Sequence, residues 1–446
     1  MQLTGEICRL NALKYPGKPA LRYEDKTMLT YAELNDRANR LANALTSLGV
    51  RQGDRVNLLA RNRPQCIEAL FGCAKAGIVY SPLNYRFTAE ELEYVINDAG
   101  ANVLLCDAEY AAVIAQLAGK IANVHTIVGF GADHGLEIDY DELLREAAPE
   151  EPTVDRPIEL DDVCWICYTG GTTGMSKGVM LTHRNNFAQI TNLVMADRIN
   201  HEDTYLVTGA LFHVVLNMAL PYWFSGATVV IMDFTPELCL DLIERYQVTK
   251  TVPVATMLNL LMDLQGRDQR NLSSLKMMGL GGAPISPDTV RGAAKAFNCD
   301  FVQYFGQTEA AQHFTYLSME NYRRGLSADA SAEQRQRLLS GGRAQHLCLM
   351  KIVDDDDNEL PPGKVGEICG WGPNIMKGYW NKPEQTEEAL RGGWLHTGDM
   401  GYLDEDGYVY IVDRKKDMIV SGGENVYSTE VERRRSIDTM PCSKPR

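Results

Sequence analysis

Residues 168–178, with the sequence YTGGTTGMSKG, have the composition of a loop that binds phosphate. Glycines let backbone N–H groups approach phosphate oxygens, threonine hydroxyls donate further hydrogen bonds, and Lys177 supplies a positive charge. The spacing differs from a Walker A loop, because Gly178 follows the lysine where that motif has serine or threonine. Taken alone, a glycine-rich surface loop without a ligand is the alternative interpretation. The predicted phosphate-binding residues are Thr169, Gly170, Gly171, Thr172, Thr173, Gly174 and Lys177.

Two later segments carry groups that suit the base and the phosphates of a nucleotide. Residues 279–284, GLGGAP, follow a strand-like run and would let a flat ring lie close to the backbone. Residues 303–309, QYFGQTE, offer an aromatic ring for stacking, a threonine hydroxyl for phosphate and a glutamate for Mg²⁺. Alone, the first segment could equally be an ordinary strand-to-helix turn, and the second a packed aromatic turn with a solvated glutamate.

Two segments nearer the C-terminus add a carboxylate and several basic residues. Residues 396–399, HTGD, place Asp399 on a tight turn where it could accept hydrogen bonds from both ribose hydroxyls. Residues 413–423, DRKKDMIVSGG, place basic residues before an apolar stretch and two glycines. Taken singly, these segments are more typical of a turn aspartate and of a solvated run of charge.

The composition limits the class of partner. The chain has 446 residues, 45% of them apolar and 23% charged, which is typical of a globular protein. Its net charge of −15 excludes nucleic acid and anionic membrane as partners of the surface as a whole, so an anionic ligand needs a local positive pocket. Eleven cysteines without regular spacing indicate free thiols in a reducing compartment, and we expect a cytoplasmic protein. Nothing in the sequence specifies an oligomeric state.

Several patterns that suggest other functions have simpler interpretations. Cys164 and Cys167 have the spacing of a redox pair, but positions three apart in a strand face opposite sides, which favours two core thiols. Residues 204–232 are nearly free of charge, yet their proline and Ser-Gly turn favour a buried helix and a buried strand over a membrane span. The aspartate-rich residues 354–357 and 404–407 lack the ligand spacing of a calcium loop and predict hairpin turns.

The elements that must position these residues alternate between helix and strand. Thr30 and Thr88 each begin a capping box followed by a helical pattern, whereas residues 55–59 and 163–168 predict buried strands. This β-α-β pattern predicts mainly parallel sheets covered by helices. From residue 350 onward, short strands and tight turns predict a small antiparallel or barrel-like subdomain. The predicted fold class is α/β, with a large N-terminal domain of two βαβ-rich sheet subdomains and a small β-barrel-like subdomain.

In this order, the five motifs resemble the adenylate-forming superfamily of acyl-CoA synthetases, peptide-synthetase adenylation domains and firefly luciferase. Within the superfamily, the chain is most similar to fatty-acyl and related acyl-CoA ligases, and the resemblance covers residues 30–432. It implies an N-terminal AMP-binding domain at residues 1–413, a hinge at 414–416 and part of a C-terminal domain at 417–446.

The resemblance implies a role for each matching position. Residues 169–177 match the loop that closes over the β- and γ-phosphates of ATP. Phe305 matches the ring stacked on adenine, Thr308 the α-phosphate contact, Glu309 the Mg²⁺ ligand and Asp399 the ribose ligand. The other matching positions are Gly282, Ala283 and Pro284 along the adenine, Gln303, Tyr304 and Gly306 around the stacked ring, Arg414 beside the ribose, His213 near the acyl carboxylate, Lys416 at the hinge, and Gly422 and Gly423 along the pantetheine path. A satisfied core histidine is the alternative for His213.

The implied reaction has two steps. The carboxylate of an acid attacks the α-phosphorus of MgATP, giving an acyl-adenylate and pyrophosphate, and the thiol of CoA then displaces AMP. Carboxylic acid, ATP and CoA are therefore the expected partners, with Mg²⁺ as the metal. The implied catalytic residues are Lys177, Thr308, Glu309 and His213. The candidate acyl-pocket residues, whose mostly apolar character favours a fatty or aryl acid, are Phe212, His213, Asn217, Met218, Met257 and Gly279.

Two departures from the family pattern affect the expected activity. Gly170 and Ser176 replace a serine and a proline usual in the loop, so we expect weaker phosphate binding. Family members continue beyond the position of Arg446 into a small domain that supplies a lysine for adenylation, so we expect this chain to bind ATP and adenylate slowly. Two alternatives stay open: a nucleotide- or acyl-binding pseudoenzyme, and an adenylating enzyme that loads a carrier protein.

Overall fold

A computed structural model describes residues 3–169, 175–213, 215–282, 285–415, 419–421 and 424–426. The strands are β1 (Pro19–Tyr23), β2 (Thr27–Thr30), β3 (Arg55–Leu59), β4 (Val79–Leu83), β5 (Val103–Asp107), β6 (Thr126–Phe130), β7 (Ile138–Asp139), β8 (Val163–Thr169), β9 (Lys177–Thr182), β10 (Thr204–Val207), β11 (Thr228–Ile231), β12 (Lys250–Thr251), β13 (Met277–Leu280), β14 (Asp300–Phe305), β15 (Thr315–Leu317), β16 (Arg343–Ala344), β17 (Leu349–Val353), β18 (Gly366–Trp371), β19 (Gly378–Tyr379), β20 (Leu395–Leu403), β21 (Val409–Arg414), β22 (Ile419–Ser421) and β23 (Glu424–Val426). The helices are α1 (Glu6–Lys14), α2 (Tyr31–Ser47), α3 (Pro64–Ala76), α4 (Ala89–Ala99), α5 (Ala111–Gln116), α6 (Tyr140–Glu146), α7 (His183–Asp197), α8 (Leu216–Phe224), α9 (Pro236–Tyr246), α10 (Ala255–Asp263), α11 (Pro287–Phe297), α12 (Met319–Leu326), α13 (Ala332–Arg337) and α14 (Pro383–Ala389).

Two large sheets, parallel at their centres, carry most of the strands. The nine-stranded sheet has the order β16-β15-β14-β13-β12-β10-β11-β1-β2, and the eight-stranded sheet has the order β19-β9-β8-β4-β3-β5-β6-β7. Antiparallel strands lie at both edges of the first sheet and at one edge of the second. The predicted pair of βαβ-rich sheets is confirmed.

The third sheet is smaller and wholly antiparallel. Its order is β17-β18-β20-β21, and it contains the short strands predicted after residue 350. Asp354 accepts hydrogen bonds from the backbone N–H groups of Asp356 and Asn358, and Asp404 does the same for Asp406 and Tyr408. Both acidic segments therefore form the predicted turns between strands.

Local sequence signals define the ends of the helices. Thr30 and Thr88 cap α2 and α4 with complete capping boxes, as predicted, and Thr182 caps α7 in the same way. Pro64 occupies the first turn of α3, where its missing N–H costs no hydrogen bond. The loop from β8 leads into the antiparallel strand β9, and α7 begins directly after that strand.

The side chains buried against the sheets are mostly apolar, and several of them are cysteines with free thiols. Cys164 and Cys167 in β8 are both buried, as predicted, and burial raises the pKa of the Cys164 thiol to about 12. The uncharged residues 204–232 form β10, the buried helix α8 and β11. No helix in the described part of the chain combines the length and apolar character needed to cross a bilayer.

Candidate functional site

The predicted phosphate loop connects two hydrogen-bonded antiparallel strands. Thr169 at the end of β8 and Lys177 at the start of β9 are register partners in this antiparallel pair. The ammonium of Lys177 lies 4.7 Å from the ring centre of Tyr379. The remaining predicted phosphate-binding residues, Gly170, Gly171, Thr172, Thr173 and Gly174, lie outside the described residues.

The same tyrosine contacts the predicted metal ligand. Thr308 and Glu309 lie on a 3₁₀ turn, and Thr308 is buried. The hydroxyl of Tyr379 donates a hydrogen bond to Oε1 of Glu309 over 2.7 Å, and the N–H of Met376 donates to the backbone carbonyl of Glu309 over 2.8 Å. Lys177 and Glu309, which are far apart in sequence, therefore contact one side chain.

Pairing between β19 and β9 produces this arrangement. Tyr379 lies opposite Val179 in the antiparallel register, and the N–H of Trp380 donates to the carbonyl of Gly178 over 2.7 Å. The N–H of Tyr379 also donates to the hydroxyl of Thr386 over 2.9 Å, which fixes the strand to α14. Tyr379 was not among the residues predicted from the sequence.

Strand β14 directs neighbouring residues to opposite faces of the nine-stranded sheet. Phe305 is half-buried, and its ring meets Phe314 edge-on at a centroid distance of 5.2 Å. It also packs against apolar residues of the four-stranded sheet, including Val409 of β21. Phe305 therefore lies where the two sheets meet, immediately before the turn that carries Glu309.

Tyr304 points into the protein interior. Its hydroxyl donates to Oδ2 of the buried Asp197 over 2.6 Å, and its ring lies 4.6 Å from the ring of His313. Burial raises the pKa of Asp197 to about 6, although the hydrogen bond from Tyr304 and the charge of Lys250 oppose that rise. A Cβ added to Gly279 would lie 2.7 Å from the Tyr304 ring. Tyr304 thus joins β13, β14 and α7 from the core side.

The remaining residues of the two adenine segments have other surroundings. Gln303 accepts a hydrogen bond from the Tyr322 hydroxyl over 2.8 Å, and Gly306 lies against the backbone of His313. Gly282 is exposed at the end of the turn that follows β13. Ala283 and Pro284 lie outside the described residues.

The predicted ribose residues form a cross-strand pair. Asp399 of β20 and Arg414 of β21 are register partners, and Nε of Arg414 lies 3.5 Å from Oδ1 of Asp399. The hydroxyl of Thr397 accepts a hydrogen bond from the N–H of Asp399 over 3.1 Å. Asp399 lies within strand β20 at a point where the register against β18 shifts, so the predicted tight turn at this residue is wrong. The other residues predicted around the hinge and the pantetheine path, Lys416, Gly422 and Gly423, lie outside the described residues.

The candidate acyl segment leads into α8. His213 is exposed, and its ring meets the ring of Phe212 edge-on at 6.3 Å. Phe212 in turn contacts Tyr85 at 5.3 Å. Asn217 is buried and donates to the carbonyl of Ala311 over 3.2 Å, which connects α8 to the turn carrying Thr308 and Glu309. Met218 and Gly279 are buried and Met257 is half-buried.

Comparison with known proteins gives the class first. The model of the family described as AMP-binding enzyme matches residues 8–380, and the chain belongs to that family. The contacts of Lys177 and Glu309 with Tyr379 fall within the matched region, whereas Asp399 and Arg414 follow it.

Individual proteins similar to this chain include ligases of several carboxylic acids. The chain is 40% identical over 414 residues to a feruloyl-CoA synthase of an Amycolatopsis species, covering 91% of this chain and 77% of the relative. It is 34% identical to the fatty acid–[acyl-carrier-protein] ligase ScoC of Streptomyces coeruleorubidus, covering 97% and 81%. Among solved structures, the N-terminal domain of FACL13 from Mycobacterium tuberculosis superposes with a TM-score of 0.84 at 30% identity, covering 93% of this chain and all of that domain.

Proposed function

We propose that this chain is an acid–thiol ligase that uses ATP to activate a carboxylic acid as an acyl-adenylate and then forms a thioester with CoA. The observation that carries the proposal is the convergence of a lysine from a phosphate-type loop and a glutamate from a separate turn on Tyr379. Membership of the AMP-binding enzyme family and similarity to acid–CoA ligases support it.

The donor set at Glu309 fits Mg²⁺. Its Oε1 accepts the hydrogen bond from Tyr379, whereas its Oε2 makes no hydrogen bond within the described ranges and could meet a cation. Carboxylate oxygen is the ligand type that Mg²⁺ prefers, usually as one or two groups alongside substrate phosphates. When bound there, the ion would neutralise charge that develops on the phosphates.

The residues of this chain then have defined tasks in the reaction. Lys177 would place a positive charge beside the phosphates that leave as pyrophosphate, and Phe305 would hold the adenine. Asp399 would accept hydrogen bonds from the ribose hydroxyls, with Arg414 beside it. The carboxylate oxygen of the acid forms the new bond to the α-phosphorus, and the bond from that phosphorus to pyrophosphate breaks. In the second step, the CoA sulfur bonds to the acyl carbon, and AMP leaves with the adenylate oxygen.

The acid is proposed to be a fatty or aryl acid. The segment around His213 contains Phe212 and Met218, and no acidic side chain on it could pair with the ammonium of an amino acid. The relatives act on both kinds of acid by name: feruloyl and indoleacetate in two cases, and fatty acids in others.

One relative supports a carrier protein as an alternative acceptor of the acyl group. ScoC is named for the transfer of a fatty acid to an acyl-carrier protein, and it matches 97% of this chain. Loading of a carrier protein in place of CoA is therefore the alternative that the thioester assay must separate.

Pyrophosphate exchange tests the proposal directly. The chain is incubated with MgATP, labelled pyrophosphate and a panel of fatty, aryl and amino acids, and acid-dependent return of label into ATP is measured. We expect exchange with fatty or aryl acids and none with amino acids. Lys177→Ala should lower the rate by about 10²–10³, the usual effect of removing one transition-state contact. Lys364→Ala, at an exposed lysine, is the matched control.

Two results would contradict the proposal. ATP binding without exchange for any acid would favour a nucleotide-binding pseudoenzyme. Equal exchange rates for Lys177→Ala and the unchanged chain would show that the loop lysine has no part in adenylation. A positive acid is then offered with CoA and with a carrier protein, and the thioester that forms identifies the acceptor.

A further inference from the structure

We infer that Tyr379 is a positioning residue that keeps Lys177 and Glu309 apart until ATP and Mg²⁺ bind. The inference rests on the proposed function, because it assigns the lysine to phosphate and the glutamate to the metal. The tyrosine uses a different part of its side chain for each partner: the ring face for Lys177, at 4.7 Å, and the hydroxyl for Glu309, at 2.7 Å.

Lys177 and Glu309 carry opposite charges and contact the same side chain, so a direct ion pair between them is the arrangement that competes with these contacts. Opposite charges attract strongly in a partly dehydrated site, and a direct pair would have to break before each group could bind its own partner. Within the described ranges, neither Lys177 nor Glu309 forms an ion pair. The aromatic face instead offers the ammonium a weaker, reversible contact.

The hydroxyl of Tyr379 prepares the carboxylate of Glu309. Its hydrogen bond holds Oε1 in place, whereas Oε2 makes no hydrogen bond within the described residues. A tyrosine hydroxyl keeps its proton at neutral pH, so the phenol is the donor in this hydrogen bond. A neutral donor of this kind orients a carboxylate without neutralising its charge, which the metal requires.

The fold holds Tyr379 rigidly enough for this task. The residue is only 9% exposed, and its backbone is fixed both by pairing with Val179 and by the hydrogen bond to the Thr386 hydroxyl. Because Val179 is two residues from Lys177 on the same strand, the register of β19 against β9 sets the distance between the ring and the ammonium.

Calorimetric titration of ATP with Mg²⁺ and with EDTA tests the two contacts separately. Tyr379→Phe keeps the ring and removes the hydroxyl, so the tightening of ATP binding by Mg²⁺ should fall about fivefold while metal-free binding stays unchanged. Tyr379→Leu removes both contacts and lets Lys177 pair with Glu309, so metal-free ATP binding should weaken as well, by about threefold.

Tyr140→Phe is the matched control, because the hydroxyl of Tyr140 also donates to a buried carboxylate, that of Glu68, over 2.7 Å. It should bind ATP as the unchanged chain does, with the same response to Mg²⁺. The inference is overturned if Tyr379→Phe keeps the full effect of Mg²⁺, or if Tyr140→Phe loses as much as Tyr379→Phe does. Failure of the unchanged chain to bind ATP at all would instead overturn the proposed function, and the inference with it.

Discussion

Gly306 follows Phe305 at the point where β14 ends and the chain turns toward Glu309. A Cβ built on Gly306 would overlap the Cα of His313, and it would also meet the carbonyl oxygen of Gln312. Both obstacles are backbone atoms, so they cannot rotate away as a flexible side chain could. Glycine at this position allows the two limbs of the turn to approach each other.

Gly306→Ala should therefore destabilise the fold and displace the predicted site residues on either side. We expect the free energy of unfolding in urea to fall by about 1–3 kcal/mol, as for other overpacked positions. ATP binding should weaken in the same variant, because Phe305 and Glu309 flank the substitution. Gly17→Ala is the control, since a Cβ there meets no atom within 4 Å. Unfolding curves that coincide for the two variants would contradict the expectation.

Helix α7 connects the two halves of the candidate site at the scale of whole elements. It begins with the Thr182 cap, directly after the strand that carries Lys177, and ends at Asp197, which accepts the hydrogen bond from Tyr304 of β14. Strand β9, which begins at Lys177, and strand β14, which precedes Glu309, are thus tied to opposite ends of one helix. Asp197 lies in the interior with a carboxyl group whose charged form is disfavoured.

This carboxyl group makes stability depend on pH in a defined direction. A pKa raised from 3.8 to about 6 means that the folded state disfavours the ionised form. The protonated carboxyl group of Asp197 therefore contributes its full stabilisation of the fold below pH 4, and this contribution is lost as pH rises to about 6. The loss corresponds to about 3 kcal/mol. His183 and His313, whose pKa values burial lowers to about 4 and about 3, act in the opposite direction, because their stabilisation is lost as pH falls below 6.5.

Asp197→Asn isolates the carboxyl contribution from that of the histidines. The free energy of unfolding is measured in urea from pH 4 to pH 7 for the unchanged chain and for the variant. The difference between them should shift in favour of the variant by up to about 3 kcal/mol as pH rises. Asp155→Asn, at an exposed carboxylate, controls for the loss of one negative charge. A difference that does not change with pH would show that the pKa of Asp197 is the same in the folded and the unfolded chain, and the expectation would be wrong.

Local sequence signals predict the helices and strands well, but they do not predict which elements lie beside each other in the fold. The capping boxes at Thr30 and Thr88 and the buried strand leading to Thr169 were recognisable because a few adjacent residues determine them. The role of Tyr379 was not recognisable, because it depends on the pairing of β19 with β9, and no residue near Tyr379 marks that pairing. The inward direction of Tyr304 likewise depends on Asp197, which is distant in sequence.

At the scale of the whole molecule, the predicted nucleotide residues come from the three larger sheets. Lys177 belongs to the eight-stranded sheet, Phe305 to the nine-stranded sheet, and Asp399 and Arg414 to the four-stranded sheet. Strand order also brings together segments that are distant in sequence: β1 lies beside β11, although nearly all strands of the eight-stranded sheet come between them in the chain. A nucleotide that contacts residues from the three larger sheets would stabilise them as one unit.

MgATP should therefore raise the stability of the entire fold. At a free concentration of 100 times the Kd, binding to the folded state alone adds about 2.7 kcal/mol to the free energy of unfolding. Thermal unfolding is followed both by tryptophan fluorescence and by circular dichroism, and the two transitions should move upward together with MgATP. Magnesium sulfate at equal ionic strength controls for salt, and Lys177→Ala should show a smaller shift at the same ATP concentration. If fluorescence and circular dichroism reported separate transitions of which MgATP moved only one, the nucleotide would be contacting a single sheet, and the convergence of the three sheets on one ligand would be wrong.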